Sequence, residues 1–280
     1  MPRSKRFLKD PPRPHSLTRR ALAGALVAVS AMTASGIAQS QTPAPPTQPP
    51  ASADREIDPA AIAALKRMGA YLVSLQSFEI NATLSIEYVL DENQKILISG
   101  TSRYRVRRPD RLRIDLVTDN LERIFQYDGK QLVVTAPKEK FYARLDAKPT
   151  VRETLAWAAE KFGIEIPLAD LFDWGAPDAT ADDIRDAFLV GKARIGGVEC
   201  DHWAFREEGA DWEIWIRSGG VPQPLRLTIV NTADAALPRY VADIAWTERA
   251  TFEDDLFVKP PVPDAKQIEY IPLAPQPQRR

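Results

Sequence analysis

The amino-acid sequence predicts an α+β fold: a single, strongly curved antiparallel sheet of about ten strands with helices packed on its concave side. Three observations predict it. Residues 78–107 alternate apolar and polar side chains over two unusually long runs. Shorter alternating segments divided by turn residues follow to 145 and resume from 188 to 248. Between and before them, apolar stripes at helical spacing occupy 58–76 and 151–174. Alternation with period two places successive side chains on opposite faces of a sheet, whereas spacing of three and four places them on one side of a helix.

The first 38 residues stand apart. Arg3, Lys5, Arg6, Lys9, Arg13, Arg19 and Arg20 precede ALAGALVAVSAMTASGIA, a short apolar run ending in small residues. This is the pattern of a bacterial export signal cleaved after Ala38. A retained membrane anchor is the alternative, disfavoured because the run is short and rich in Ala, Gly, Ser and Thr. Arg19-Arg20 resembles a twin-arginine signal weakly, and a general secretory route fits as well. No cysteine lies near the cleavage position, since the single cysteine is Cys200, so the expectation is a periplasmic protein without a lipid anchor. Removing the leader takes away 7 of 37 basic and 1 of 38 acidic residues, leaving 30 against 37 and a net charge of −7. That balance argues against nucleic acid as a partner, which requires clustered positive potential. QSQTPAPPTQPPASAD, residues 39–54, carries five prolines and no aromatic residue and reads, to residue 56, as a disordered tether. A single domain is expected over 57–272, and a flexible tail over 273–280.

The domain opens at Asp58-Pro59, an N-cap followed by proline at the first helical position. Ile62, Leu65, Met68, Leu72 and Leu75 then form one helical stripe. In SFEINATLSIEYVL the apolar set is Phe78, Ile80, Ala82, Leu84, Ile86, Tyr88 and Leu90. In KILISGTSRYRVRRP, Ile96, Ile98, Tyr104 and Val106 oppose Thr101, Arg103, Arg105 and Arg107, so the two runs form a hairpin around Asp91-Glu92-Asn93. Strands follow at 111–118, 121–127, 131–135 and 141–145, separated by Asp128-Gly129-Lys130 and by 136–140. A helix from Val151 to Phe162 stops at Gly163, a second short helix spans 167–174, and a third helical piece covers 179–188. Strands resume at 188–195, 199–206, 211–217, 225–231 and 240–248.

The side chains this pattern sends inward are Ile80, Leu84, Ile86 and Tyr88, then Ile98 and Tyr104, then Leu112 and Ile114, and finally Trp203, Trp212, Ile214 and Trp246. Such a wall either closes on the helices as core or leaves a cavity for an apolar ligand. On the outer face Arg103, Arg105, Arg107, Arg108, Arg111 and Arg113 admit two readings. One is a site for an anionic headgroup or phosphate; the preferred one is a solvated face laced to Glu79, Glu87 and Asp115.

Enzyme chemistry is poorly supported. His202 is the one histidine left after the leader, and Cys200 and His202, two apart, make at most half of a metal site. No phosphate loop or nucleophile elbow is present. No catalytic residue, metal or cofactor is therefore assigned.

YDGKQLVVTAPKEKFYARLDA, the following PTVRETLAWAAEKFGIEIPLADLF and the closing TFEDDLFVKPPVPDAKQIE together resemble domain-of-unknown-function family 2092, predicted periplasmic proteins similar to the lipoprotein carriers LolA and LolB. The resemblance covers residues 58–272. It implies an open, LolA/LolB-like half-barrel with a helical lid over a hydrophobic cavity, and a hydrophobic or amphiphilic ligand such as an acyl chain or lipoprotein. The helices at 58–76 and 151–174 are then the parts that move. The alternative is an envelope interaction or sensor module of the same fold, recognisable by an exposed edge strand. A monomer is expected.

Overall fold

The computed structural model describes residues 57–179, 181–258 and 262–273. The leader, the proline-rich tether and nearly all of the tail lie outside the described residues.

Strands β1 (Ser77–Val89) and β2 (Lys95–Arg107) pair along their full lengths, from Ser77 opposite Arg107 to Val89 opposite Lys95. The chain meanders on through β3 (Arg111–Thr118), β4 (Glu122–Tyr127), β5 (Gln131–Ala136) and β6 (Phe141–Asp146). Asp128 closes the β4–β5 turn by accepting from the amides of Lys130 and Gln131, with Gly129 at φ +88° where a side chain would be strained. After the helical interruption come β7 (Asp186–Ile195), β8 (Val198–Glu207), β9 (Ala210–Arg217), β10 (Pro224–Asn231) and β11 (Arg239–Glu248). β11 returns to pair antiparallel with β1, which joins both meanders into one curved, unclosed sheet.

Among the described residues the sheet has twelve strands, with a last strand β12 (Lys266–Gln267), in the order β12-β6-β5-β4-β3-β2-β1-β11-β10-β9-β8-β7, where about ten are expected. The addition that periodicity could not show is β12, which pairs parallel to β6 and is too short to have a period. A second correction concerns 179–188. Among the described residues of that segment the expected helical piece is instead a turn at 182–183 leading into β7, because Ala187 pairs with Phe205 and both are buried. Cross-strand packing overrides a weak local preference.

Helix α1 (Pro59–Ser74) begins where Asp58 accepts from the Ala60 amide at 2.8 Å. Its buried side keeps Met68, Leu72 and Leu75 of the expected stripe and adds Ala61, Ala64 and Gly69, while Ile62 and Leu65 are only partly covered. Small residues let the helix approach the segment after the second helix: a Cβ on Gly69 would stand 2.6 Å from the Gly175 amide nitrogen. Helix α2 (Val151–Phe162) is capped by Thr150, which accepts from the Glu153 amide, and ends at Gly163 with φ +66°. Between the helices, a 3-10 turn at Ala169–Phe172 plugs the concave face. Phe172 packs near Phe78 with ring centroids 6.4 Å apart, Trp174 stacks on Trp212 at 5.8 Å, and the Tyr104 hydroxyl donates to the Pro167 carbonyl. Each large side chain buried in this contact contributes about 1.5–3 kcal/mol.

Candidate functional site

The twelve wall residues divide by depth. Ile80, Leu84, Tyr104, Leu112, Ile114, Trp203, Trp212 and Ile214 are buried under the plug and helices. Ile86, Tyr88, Ile98 and Trp246 remain part-exposed. Register explains where: Ile86 stands opposite both Ile98 of β2 and Tyr240 of β11, towards the end of the sheet that the plug does not fill. Trp246 lies at the other end, 5.8 Å from Phe78, with its indole donating to the Pro224 carbonyl at 2.8 Å.

At the open end the cover over the concave face is incomplete and leaves part-exposed Ile86, Tyr88 and Ile98 as a shallow apolar crevice. Asp170 of the 3-10 turn stays solvent-accessible, yet it is surrounded closely enough that desolvation pushes its carboxyl above the usual range. Asp170 in turn helps raise the carboxyl of Glu207 and the hydroxyl of Tyr240, each shifted first by burial. The Tyr240 hydroxyl is buried and has no hydrogen-bond partner among the described residues. The crevice therefore offers an apolar wall, Ile86, Ile98 and Tyr88, and a polar lining of Tyr240, Asp170 and Glu207. Sequence reasoning missed those last three. Tyr240 sits in phase with Ala242, Ile244 and Trp246, a signal that was there to find; Asp170 carries no such signal, because its place depends on how the 3-10 turn enters the sheet.

The outer face carries ion pairs, as the preferred reading of its arginines expects. Arg103 meets Glu79 at 2.8 Å, and Arg105 and Arg113 share Asp115, the latter at 2.8 Å. Burial, followed by repulsion from Arg113 and Arg103, holds the Arg105 guanidinium down to about 10. Arg107 pairs with Asp254, and Arg111 reaches Asp110 at 3.0 Å and the Asp128 carbonyl at 2.6 Å. Two details differ. Glu87 pairs with Lys95 rather than with an arginine of the cluster, and Arg108 is half-buried against the rings of Phe78 and Phe172 at 5.9 and 5.6 Å. Cys200 is buried, and burial pushes its thiol up; His202 Nε2 lies 2.7 Å from Glu213 while its ring stacks on Trp215 at 3.9 Å. Among the described residues no group of three or more His, Cys, Asp or Glu is placed to hold a metal ion, and no helix is long and apolar enough to cross a membrane.

Fold and crevice together define a class: an open, curved sheet whose concave face is only partly filled by its helices. The family described as predicted periplasmic protein, domain of unknown function 2092, matches residues 61–271, and the chain belongs to that family. The periplasmic localisation expected from the leader agrees with that description. No curated protein matches the chain. Among solved structures, it is similar to an uncharacterized conserved protein from Thermus thermophilus, at 12% identity and TM-score 0.44 over 75% of this chain and 99% of that one. It is similar also to the Mycobacterium tuberculosis lipoprotein LppX, at 13% identity and TM-score 0.44 over 70% of this chain and 100% of that one. A LolA superfamily protein from Nitrosomonas europaea gives 10% identity and TM-score 0.32 over 71% and 97%.

Proposed function

We propose that this protein binds a hydrophobic or amphiphilic ligand, an acyl chain or lipoprotein lipid, in the crevice between the curved sheet and its helical cover, and carries it through the periplasm. The observation that supports this reading most is the gradient along the concave face, from fully buried Ile80 and Ile114 to part-exposed Ile86, Ile98 and Tyr88. Each methylene moved from water into such a crevice is worth about 0.8 kcal/mol, so an acyl chain has ample reason to enter. The unpartnered Tyr240 hydroxyl and the carboxyls of Asp170 and Glu207 favour an amphiphile over a plain hydrocarbon, because a buried polar group needs a hydrogen-bond partner. On this reading residues 57–272 act as one domain, and α1 and α2 move to admit the ligand.

The test is native mass spectrometry of protein taken from a periplasmic fraction, followed by organic extraction and identification of lipids. The expected result is one acyl species per chain, lost in Ile86→Glu, whose charge stands in the crevice at a part-exposed position that tolerates it. Protein that is ligand-free and takes up no fluorescent fatty acid sinks the proposal.

A second reading, an envelope interaction module, has its own observation. β7 is an edge strand with Leu189 and Val190 exposed beside a register shift. An exposed apolar edge is a template for pairing with another chain. Ligand-free protein that co-purifies with a defined envelope protein, and loses it in Val190→Lys, favours this reading.

A further inference from the structure

On the opposite side of the sheet from the apolar crevice, a groove of about 840 Å³ crosses the outer face from β3 to the β7–β8 turn. Its floor is two neighbouring rows of side chains. One runs in register through Thr101, Thr83, Asp243 and Arg226, whose neighbour in register on β9 is Trp215, outside the groove. In the next, Asn81 lies opposite both Arg103 and Ala245, and Arg217 stands two residues beyond Trp215 on the same face. Arg103 and Arg217 thus mark the two ends of one row, four strands apart, or about 19 Å at the usual strand spacing of ~4.8 Å.

The charges in this groove are not equivalent. Arg103 is held by Glu79 at 2.8 Å, Arg226 by Asp243 at 2.8 Å, and Asp115 by Arg105 and Arg113. Arg217 is different: its guanidinium makes no hydrogen bond or ion pair among the described residues, and its Nε is buried without a partner. A half-buried cation with an unsatisfied donor is a costly arrangement unless something completes it. Guanidinium geometry matches carboxylate and phosphate oxygens, which accept two parallel hydrogen bonds. Three to four strands along the groove from it, exposed Asn81, Thr83 and Thr101 supply neutral donors and acceptors over small side chains, which suits a polar body rather than an apolar one.

We propose that the outer groove is a binding site for an elongated, hydrophilic anion, with a carboxylate or phosphate seated on Arg217 and its uncharged portion lying over Asn81 and Thr83 towards Arg103. The site is independent of the crevice, so it stands whether or not an acyl ligand is found there. Titration calorimetry with trigalacturonic acid and with tripolyphosphate, using neutral maltotriose as control, tests it. The expected result is saturable binding of at least one polyanion, weaker at higher salt, and none of maltotriose. The tighter polyanion tells carboxylate from phosphate. Arg217→Gln weakens that binding about tenfold or more without moving the melting temperature, the loss expected for a charged hydrogen bond. Should Arg217→Gln fail to fold, Ala245→Trp, at an exposed floor position, blocks the groove and abolishes binding. The proposal is overturned if neither polyanion binds, if maltotriose binds equally well, or if the folded variants bind as the native protein does.

Discussion

The two faces of β1, β2 and β3 come from the same residues read alternately, yet they are held together by different physics. On the concave face Ile80, Tyr104 and Ile114 are fully buried against the plug, and the stabilisation is area removed from water. On the outer face Glu79, Arg103, Arg105, Arg113 and Asp115, one strand position away, remain partly wet and are held by shared charge. The contrast shows how one sheet presents an apolar face and a charged one back to back, about one sheet's thickness apart.

Three substitutions sharpen the comparison. The largest effect belongs to the concave face: Ile114→Ala leaves a cavity beneath the plug and is expected to lower stability by about 2–5 kcal/mol in chemical denaturation. A loss under about 1 kcal/mol would mean that the plug is loosely packed. Next comes the outer face, where Asp115→Asn deprives Arg105 and Arg113 of their common carboxylate and is expected to cost about 1–3 kcal/mol, partly relieved by salt that screens the arginines from one another. A loss as large as that of Ile114→Ala would erase the distinction between the faces.

The smallest effect has the opposite sign. Burial raises the Asp170 carboxyl, so between its ordinary and raised values the folded protein binds the proton more tightly than the unfolded chain. Its contribution to stability therefore falls as pH rises through that window and stays unfavourable above it. Asp170→Asn should raise the melting temperature slightly at neutral pH and lose that advantage in acid, below the ordinary carboxylate range. Melting curves across pH with no such convergence would place Asp170 in open solvent rather than in the crevice.

Much of the fold is legible in the sequence because long strands repeat their signal. Twelve consecutive residues of β1, Ser77 to Tyr88, alternate, so its faces, and the faces of its partner β2, follow from the pattern alone. The Asp58 and Thr150 caps and the stop at Gly163 are legible for the same local reason, although the sequence reading identifies only Asp58 as a cap. The α1 stripe is right at Met68, Leu72 and Leu75 but incomplete, because hydrophobicity marks what avoids water, while close approach of the helix selects small residues, as at Gly69 against Gly175. The inward wall reads as one set, but its division into buried and part-exposed residues does not, since both ends of the wall carry the same residue types.

By itself, the sequence determined which side chains share a face and which segments turn, because these depend on backbone period and on neighbours a few residues away. Only the tertiary structure decided that β11 closes back on β1, that the 3-10 turn carrying Asp170 plugs the concave face, and that the Arg217 guanidinium finds no hydrogen-bond or ion-pair partner among the described residues. Those outcomes depend on contacts between residues far apart in the chain, whose relative placement no local pattern encodes.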